Sequence, residues 1–183
     1  MILHPWHEVS PGANAPHTVS AIVEIPEGSR IKYEIDKPSG LIKMDRMLFS
    51  SMQYPTNYGF IPQTYGGDGD PLDILVITHS PLVPLCLVEA IPIGVMRMSD
   101  KGEVDDKIIA VAAKDITVNH LKSVFELPEH FRNELRNFFE VYKQLENRKI
   151  IVEDFLDADA AIKIIQNDLA YYKKYKAEGK FTQ

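Results

Sequence analysis

Between Arg46 and Arg97 the chain carries no lysine or arginine, and inside that interval lies Gly66-Gly67-Asp68-Gly69-Asp70-Pro71-Leu72-Asp73. Three carboxylates this close raise one another's pKa unless a cation neutralises them. The sequence supplies none locally, so a divalent cation is the economical partner. An all-oxygen donor set points to Mg²⁺, Mn²⁺ or Ca²⁺ rather than zinc. Read alone, the segment is equally ordinary turn chemistry. An EF-hand loop is excluded, because Asp73 stands where that loop needs glycine and His79 where it needs glutamate.

Further chemistry-bearing groups lie on both sides. Asp100, Glu103, Asp105 and Asp106 precede Lys107, and their plain reading is a charged turn at 99–102. Residues 31–36 alternate, with Ile31, Tyr33 and Ile35 on one face and Lys32, Glu34 and Asp36 on the other. Glu24 comes just before them. Tyr54 and Tyr58 flank Pro55-Thr56-Asn57, and Tyr142-Lys143 sits on a helical stretch where periodicity also allows Tyr142 a place in the core. Carboxylates, ammonium groups and phenols together suit a metal-phosphate site, in which cations hold phosphate oxygens and carboxylates hold metals.

The elements that must position these groups read as strands first and helices last. Strands are expected at 18–25, 31–36, 41–48, 72–78, 85–98 and 107–113, with 53–70 as a glycine- and proline-rich loop. From Pro128, helical spacing joins Phe131, Leu135, Phe138, Tyr142 and Leu145. Residues 150–155 suit an extra strand. Asp157 is the expected N-cap of a last helix with a stripe of Ile162, Ile165, Leu169 and Tyr172, closed at Gly179. Short strands followed by helices predict an α+β, mainly β fold: a small barrel or curled sheet with helices outside.

Composition sets the bounds. The 183 residues, 45% hydrophobic and 25% charged, predict one domain over 1–183, with an N-terminal arm at 1–17 and a tail at 176–183. The net charge of −6 argues against a nucleic-acid footprint. The one cysteine, Cys86, lies in an apolar run and reads as a buried, inert thiol. His4 and His7, with Trp6 between them, read as a frayed or oligomer-packed terminus. No membrane span or secretory signal is expected, which predicts a cytoplasmic protein.

The ordered set of motifs resembles the soluble family I inorganic pyrophosphatases. Asp68-Gly69-Asp70-Pro71-Leu72-Asp73 matches that family's D-x-D-P-x-D motif. Glu24-Ile25-Pro26, Ile31-Lys32-Tyr33-Glu34-Ile35-Asp36, Asp45-Arg46, Tyr54-Pro55-Thr56-Asn57-Tyr58-Gly59, the 100–107 segment and Tyr142-Lys143 follow in order. The resemblance implies a five-stranded OB-type barrel with two longer helices packed outside. It implies hydrolysis of inorganic diphosphate with several Mg²⁺ ions per site, Mn²⁺ being the alternative. It also implies a homo-oligomer, the short chain being more similar to the prokaryotic hexamers.

Carried over residue by residue, the resemblance makes Asp68, Asp73, Asp100, Asp105 and Glu24 metal ligands, Glu24 acting mostly through water. Asp70 becomes the general base. Lys32, Arg46, Tyr142 and Lys143 become phosphate ligands, with Glu34 acting at the substrate through metal-held water. Lys107 and Tyr58 act beside the attacked phosphate, and Tyr54 supports them. Asp105 and Lys107, two apart, share a face if extended, which favours Asp105 over Asp106. Three alternatives stand beside this reading: a hydrolase of longer polyphosphates, a divalent-cation-binding protein without catalysis, and a nucleic-acid-binding barrel resting on Lys173, Lys174, Lys176 and Lys180.

Overall fold

The computed structural model of the chain describes residues 3–100, 102–148 and 150–181. Its strands are β1 (Val19–Ile25), β2 (Ile31–Ile35), β3 (Ile42–Met47), β4 (Asn57–Phe60), β5 (Asp73–Ile77), β6 (Leu87–Asp100), β7 (Glu103–Val104), β8 (Lys107–Ala112) and β9 (Ile150–Asp157). The helices are α1 (Glu129–Val141) and α2 (Ala158–Ala177).

Pairing closes on itself. β1 lies antiparallel to both β4 and β6, β4 to β5, and β6 to β8, while β5 and β8 run parallel. Each of these five strands therefore has two hydrogen-bonded neighbours, which leaves the ring no open edge. β6 is long enough to serve four partners, β1, β7, β8 and β9, reaching β1 at one end and β9 at the other. Its register shifts between Pro92 and Gly94, where a proline without an N–H cannot continue the ladder. β2 and β3 form a separate hairpin that sets Lys32 opposite Arg46.

Strand parity sorts the apolar side chains of β5 and β8 into two cores, and a third, smaller cluster gathers Trp6, Ile22, Ile35, Phe60 and Tyr172. Leu75, Ile77, Ile109 and Val111 pack with Leu135, Phe138 and Phe139 of α1. Ile74, Val76, Ile108 and Ala110 pack with Ala161 and Ile165 of α2. With both faces covered, β8 is buried along its whole length and reads as a continuous apolar run after Lys107.

Several expectations change in detail. The segment 53–70 contains β4, hidden from pattern reading because its four residues include Asn57 and Gly59. Gly59 is required there, since a Cβ would run into the Ile22 carbonyl of the neighbouring strand. Pro128 stands just before α1, and Leu145 lies beyond that helix in a short 3-10 turn, 64% exposed. On α2 the buried position is Ala161 rather than Ile162, while Asp157 caps the helix as expected by accepting from Ala158 N–H. Gly179 follows the helix with φ 71°, the left-handed conformation that suits glycine.

Cys86 is half-buried rather than buried, because Leu85 and Leu87 on either side of it face outward. The N-terminal arm is not frayed. Trp6 is 3% exposed, its ring packs edge-on to Phe181 at 5.5 Å, and His7 Nδ1 meets the Tyr172 hydroxyl at 2.9 Å.

Candidate active site

The parallel register of β5 and β8 sets Ile74 beside Ile108, so Asp73 and Lys107 begin neighbouring strands side by side. The Lys107 ammonium is ion-paired to Asp73 and, from two residues upstream, to Asp105. Asp106 points away and pairs with Arg97 at 3.4 Å. The strand parity anticipated for Asp105 therefore places it, and not Asp106, on the Lys107 side.

Around this trio opens a cleft of about 630 Å³. All but two of the anticipated site residues line it: Glu24 from β1; Lys32 and Glu34 from β2; Tyr58 from β4; Asp68 and Asp70 from the acidic loop; Asp73 and Lys107; Asp100 from the end of β6; Asp105; and Tyr142 and Lys143 after α1. Arg46 and Tyr54 stand behind. Arg46 donates through Nε to Glu146 at 2.9 Å and also pairs with Asp45, and its Nη2 is buried with no hydrogen-bond partner among the described residues. Tyr54 is buried, its ring 5.7 Å from that of Tyr58 and 6.5 Å from that of Tyr142. Its place is to back the phenols that face the cleft.

Positive and negative groups alternate along the walls. Lys32 pairs with Glu34 at 3.0 Å and Asp45 at 3.1 Å, Lys43 with Glu34 at 3.2 Å, and Lys143 with Asp100 at 2.8 Å. Lys37 pairs with Asp70 at the mouth. Among the described residues no three carboxylates converge on one point, because ammonium groups stand between them. The donors are nevertheless all oxygen, which fits a hard divalent cation.

Burial sets the electrostatics. The Glu24 carboxyl, 6% exposed, is pushed up to about 8 by desolvation, against the Ile35 N–H that donates to it at 2.6 Å. Burial raises Asp73 as well, with Lys107 opposing. For Lys107, burial disfavours the charge, but Asp73 and Asp105 outweigh it and hold the ammonium above the usual lysine range. Glu24 and Asp73 stay raised even with Lys32 and Lys107 opposing, so a further positive charge would favour their ionised forms, which is the electrostatic case for a cation here.

Glu24 gives a pH prediction. Its carboxyl titrates near 4.5 when unfolded and near 8 when folded, so the folded state binds the extra proton between those values. Stability of the metal-free protein therefore falls as pH rises through that window. Glu24→Gln keeps an acceptor for Ile35 N–H and removes the titration. Thermal melts in EDTA are expected to show the variant gaining on the parent from pH 5 to pH 8; parallel curves would refute the assignment.

Sequence reading missed Lys37, Lys43 and Asp45 as members of these ion-pair chains. Lys37 and Asp70 are far apart in sequence, and only the fold brings the 36–40 turn against the acidic loop. It also missed Asp168 on α2. That carboxyl lines a neighbouring groove of about 450 Å³ with Asp68 and Asp106, and burial followed by repulsion from those two pushes it up to about 7.

The family model described as inorganic pyrophosphatase matches residues 21–173. A soluble inorganic pyrophosphatase of Chlamydomonas reinhardtii is 49% identical over 94% of this chain and 90% of its own length. One from Arabidopsis thaliana is 50% identical over 96% of this chain and 81% of its own. Among solved structures, an inorganic pyrophosphatase of Thermus thermophilus superposes with a TM-score of 0.90 at 38% identity, covering 93% of this chain and 99% of that one. One from Helicobacter pylori gives 0.85 at 37% identity, covering 91% and 98%.

Proposed function

The chain belongs to the inorganic pyrophosphatase family, and we propose that its cleft hydrolyses inorganic diphosphate to two orthophosphates with Mg²⁺ as cofactor and Asp70 as general base. The observation that carries this reading is the juxtaposition of carboxylates with buried ammonium groups in one cleft, the half-buried Asp73 and Asp105 on Lys107 above all. A site of one sign would suit a metal or a phosphate; this one suits both at once.

Asp68, Asp73, Asp105 and Asp100 would hold Mg²⁺, or Mn²⁺ in its place, with Glu24 behind them. When bound, the cations supply Lewis-acid charge that lowers the pKa of water and neutralises phosphate oxygens. Asp70 takes the proton of the attacking water. As the new P–O bond forms, the bridging P–O bond breaks, and the departing oxygen leaves with the electron pair and takes a proton from solvent, to which Asp70 then releases its own. Lys32, Lys143 and the Tyr142 hydroxyl orient the leaving phosphate, with Arg46 behind them, its buried Nη2 still able to donate. Glu34 steadies Lys32 and Lys43. Lys107, within 5.8 Å of the Tyr58 ring, stays charged and holds Asp73 and Asp105 apart, and Tyr58 orients the base or a phosphate oxygen. This is positioning and charge neutralisation, with no covalent intermediate.

In this reading the chain is a single domain over 1–183, and the closed ring β1-β4-β5-β8-β6 is a five-stranded barrel of OB type. The protein acts in the cytoplasm as a homo-oligomer, a hexamer. It has no nucleic-acid partner, and no described helix is long and apolar enough to cross a membrane.

The test is orthophosphate release across an Mg²⁺ titration, with EDTA, ATP and tripolyphosphate as controls. Metal-dependent release from diphosphate, exceeding that from ATP and tripolyphosphate, is expected. A folded sample that binds Mg²⁺ but releases no phosphate would overturn the reading.

A further inference from the structure

Lys37 has no part in the roles assigned above, yet it lines the same cleft, and its ammonium is ion-paired to Asp70. The side chains are 52% and 50% exposed, so the pair stands at the cleft mouth. An ion pair that open to water is held weakly. A multiply charged phosphate group arriving there is a stronger partner for the ammonium than one carboxylate.

The N-terminal arm fixes this lysine from behind. His4 Nε2–H donates to the Lys37 carbonyl at 2.8 Å. The Lys37 ammonium stands 5.9 Å from the centre of the Trp6 ring, within cation–π range. Trp6 Nε1–H donates to the Thr64 carbonyl at 2.9 Å, just ahead of the acidic loop. Pro5 and His4 close over Gly40, where an added Cβ would come within 3.0 Å of Pro5 Cδ. The arm thus ties together the two segments that carry Lys37 and Asp70.

We propose that Lys37 is a substrate-binding residue, which exchanges Asp70 for a phosphate oxygen of diphosphate on binding, and that His4 and Trp6 are its positioning residues. Substrate arrival then frees the base. Before arrival, Asp70 is occupied. The inference rests on the diphosphatase reading and adds to it a ligand and a trigger.

Lys37→Gln and Lys37→Arg, with the full chain in Mg²⁺, test it through steady-state kinetics on diphosphate and calorimetric binding of non-hydrolysable imidodiphosphate. Loss of a hydrogen bond to a charged group predicts about a tenfold rise in both KM and the imidodiphosphate Kd for Lys37→Gln. The kcat is expected to change far less, and Lys37→Arg should recover most of the affinity. His4→Ala should raise the same constants in the same direction, with its melting temperature unchanged.

If Lys37→Gln binds imidodiphosphate as tightly as the parent, in a parent that hydrolyses diphosphate, Lys37 only shields Asp70 and the inference is wrong. A parent that does not hydrolyse diphosphate would instead remove the diphosphatase reading, and this inference with it.

Discussion

Asp70→Asn is expected to lower kcat for diphosphate by about 10²–10⁴-fold, the range that a positioned general base contributes, with little change in KM. The substitution is close to isosteric, and the loop around it is held by groups it leaves alone. Asp70 N–H donates to Asp68 Oδ1 at 3.0 Å, Gly66 N–H donates to the Asp70 carbonyl at 2.8 Å, and Gly69 takes φ 84° in the turn between them. The lost group is a half-exposed carboxylate, so the melting temperature should stay near that of the parent. What disappears is the acceptor for the proton of the attacking water. Retention of most of the parental kcat would strip Asp70 of that role and pass it to another carboxylate of the cleft.

Lys107→Met should do the opposite, damaging the fold more visibly than any other change in the site. Lys107 is 2% exposed and pairs with two carboxylates. Methionine fills much of the volume but leaves Asp73 and Asp105 facing each other without the ammonium. Breaking a buried pair by removing one partner costs about 3–5 kcal/mol. At about 2–4 °C per kcal/mol, the melting temperature in EDTA should drop by roughly 6–20 °C. The deficit should shrink as pH falls, because burial already raises Asp73 and removal of Lys107 raises it further, so protonation relieves the repulsion. Saturating Mg²⁺ should also recover more stability in the variant than in the parent. An equal loss in EDTA and in Mg²⁺ would mean that these carboxylates do not hold the cation.

The groups that line the cleft were largely legible in the chain, and for a physical reason. Asp105 and Lys107, and Lys32 and Glu34, are each two apart, so an extended backbone turns each pair to one side without help from the rest of the fold. Uncompensated charge between Arg46 and Arg97 marked the acidic loop independently. What escaped depends on contacts between distant segments. β4 is four residues long and contains Gly59 because another strand's backbone crosses it, a requirement invisible from either strand alone. Lys37 meets Asp70, and Arg46 meets Glu146, only through the packing of the hairpin and the turn after α1 against the ring. Cys86 was misjudged because an apolar run at the start of β6 turns its leucines outward.

The sequence has only one tryptophan, and it is the buried Trp6 of the arm. Its ring lies 4.5 Å from that of His7 in a stacked arrangement and within reach of the Lys37 ammonium. Intrinsic indole fluorescence therefore reports from one address: the clasp between the N-terminal arm, the C-terminal segment and the rim of the cleft. Burial, with the charges of His4 and Lys176, lowers His7 to about 4, so its imidazole stays neutral, and a weaker quencher, down to that pH. Emission consequently follows the small cluster in which Trp6 packs with Ile22, Phe60 and Tyr172, whereas far-ultraviolet dichroism follows the strands and helices. A loosening of the arm ahead of global unfolding would register as a gap between the two signals.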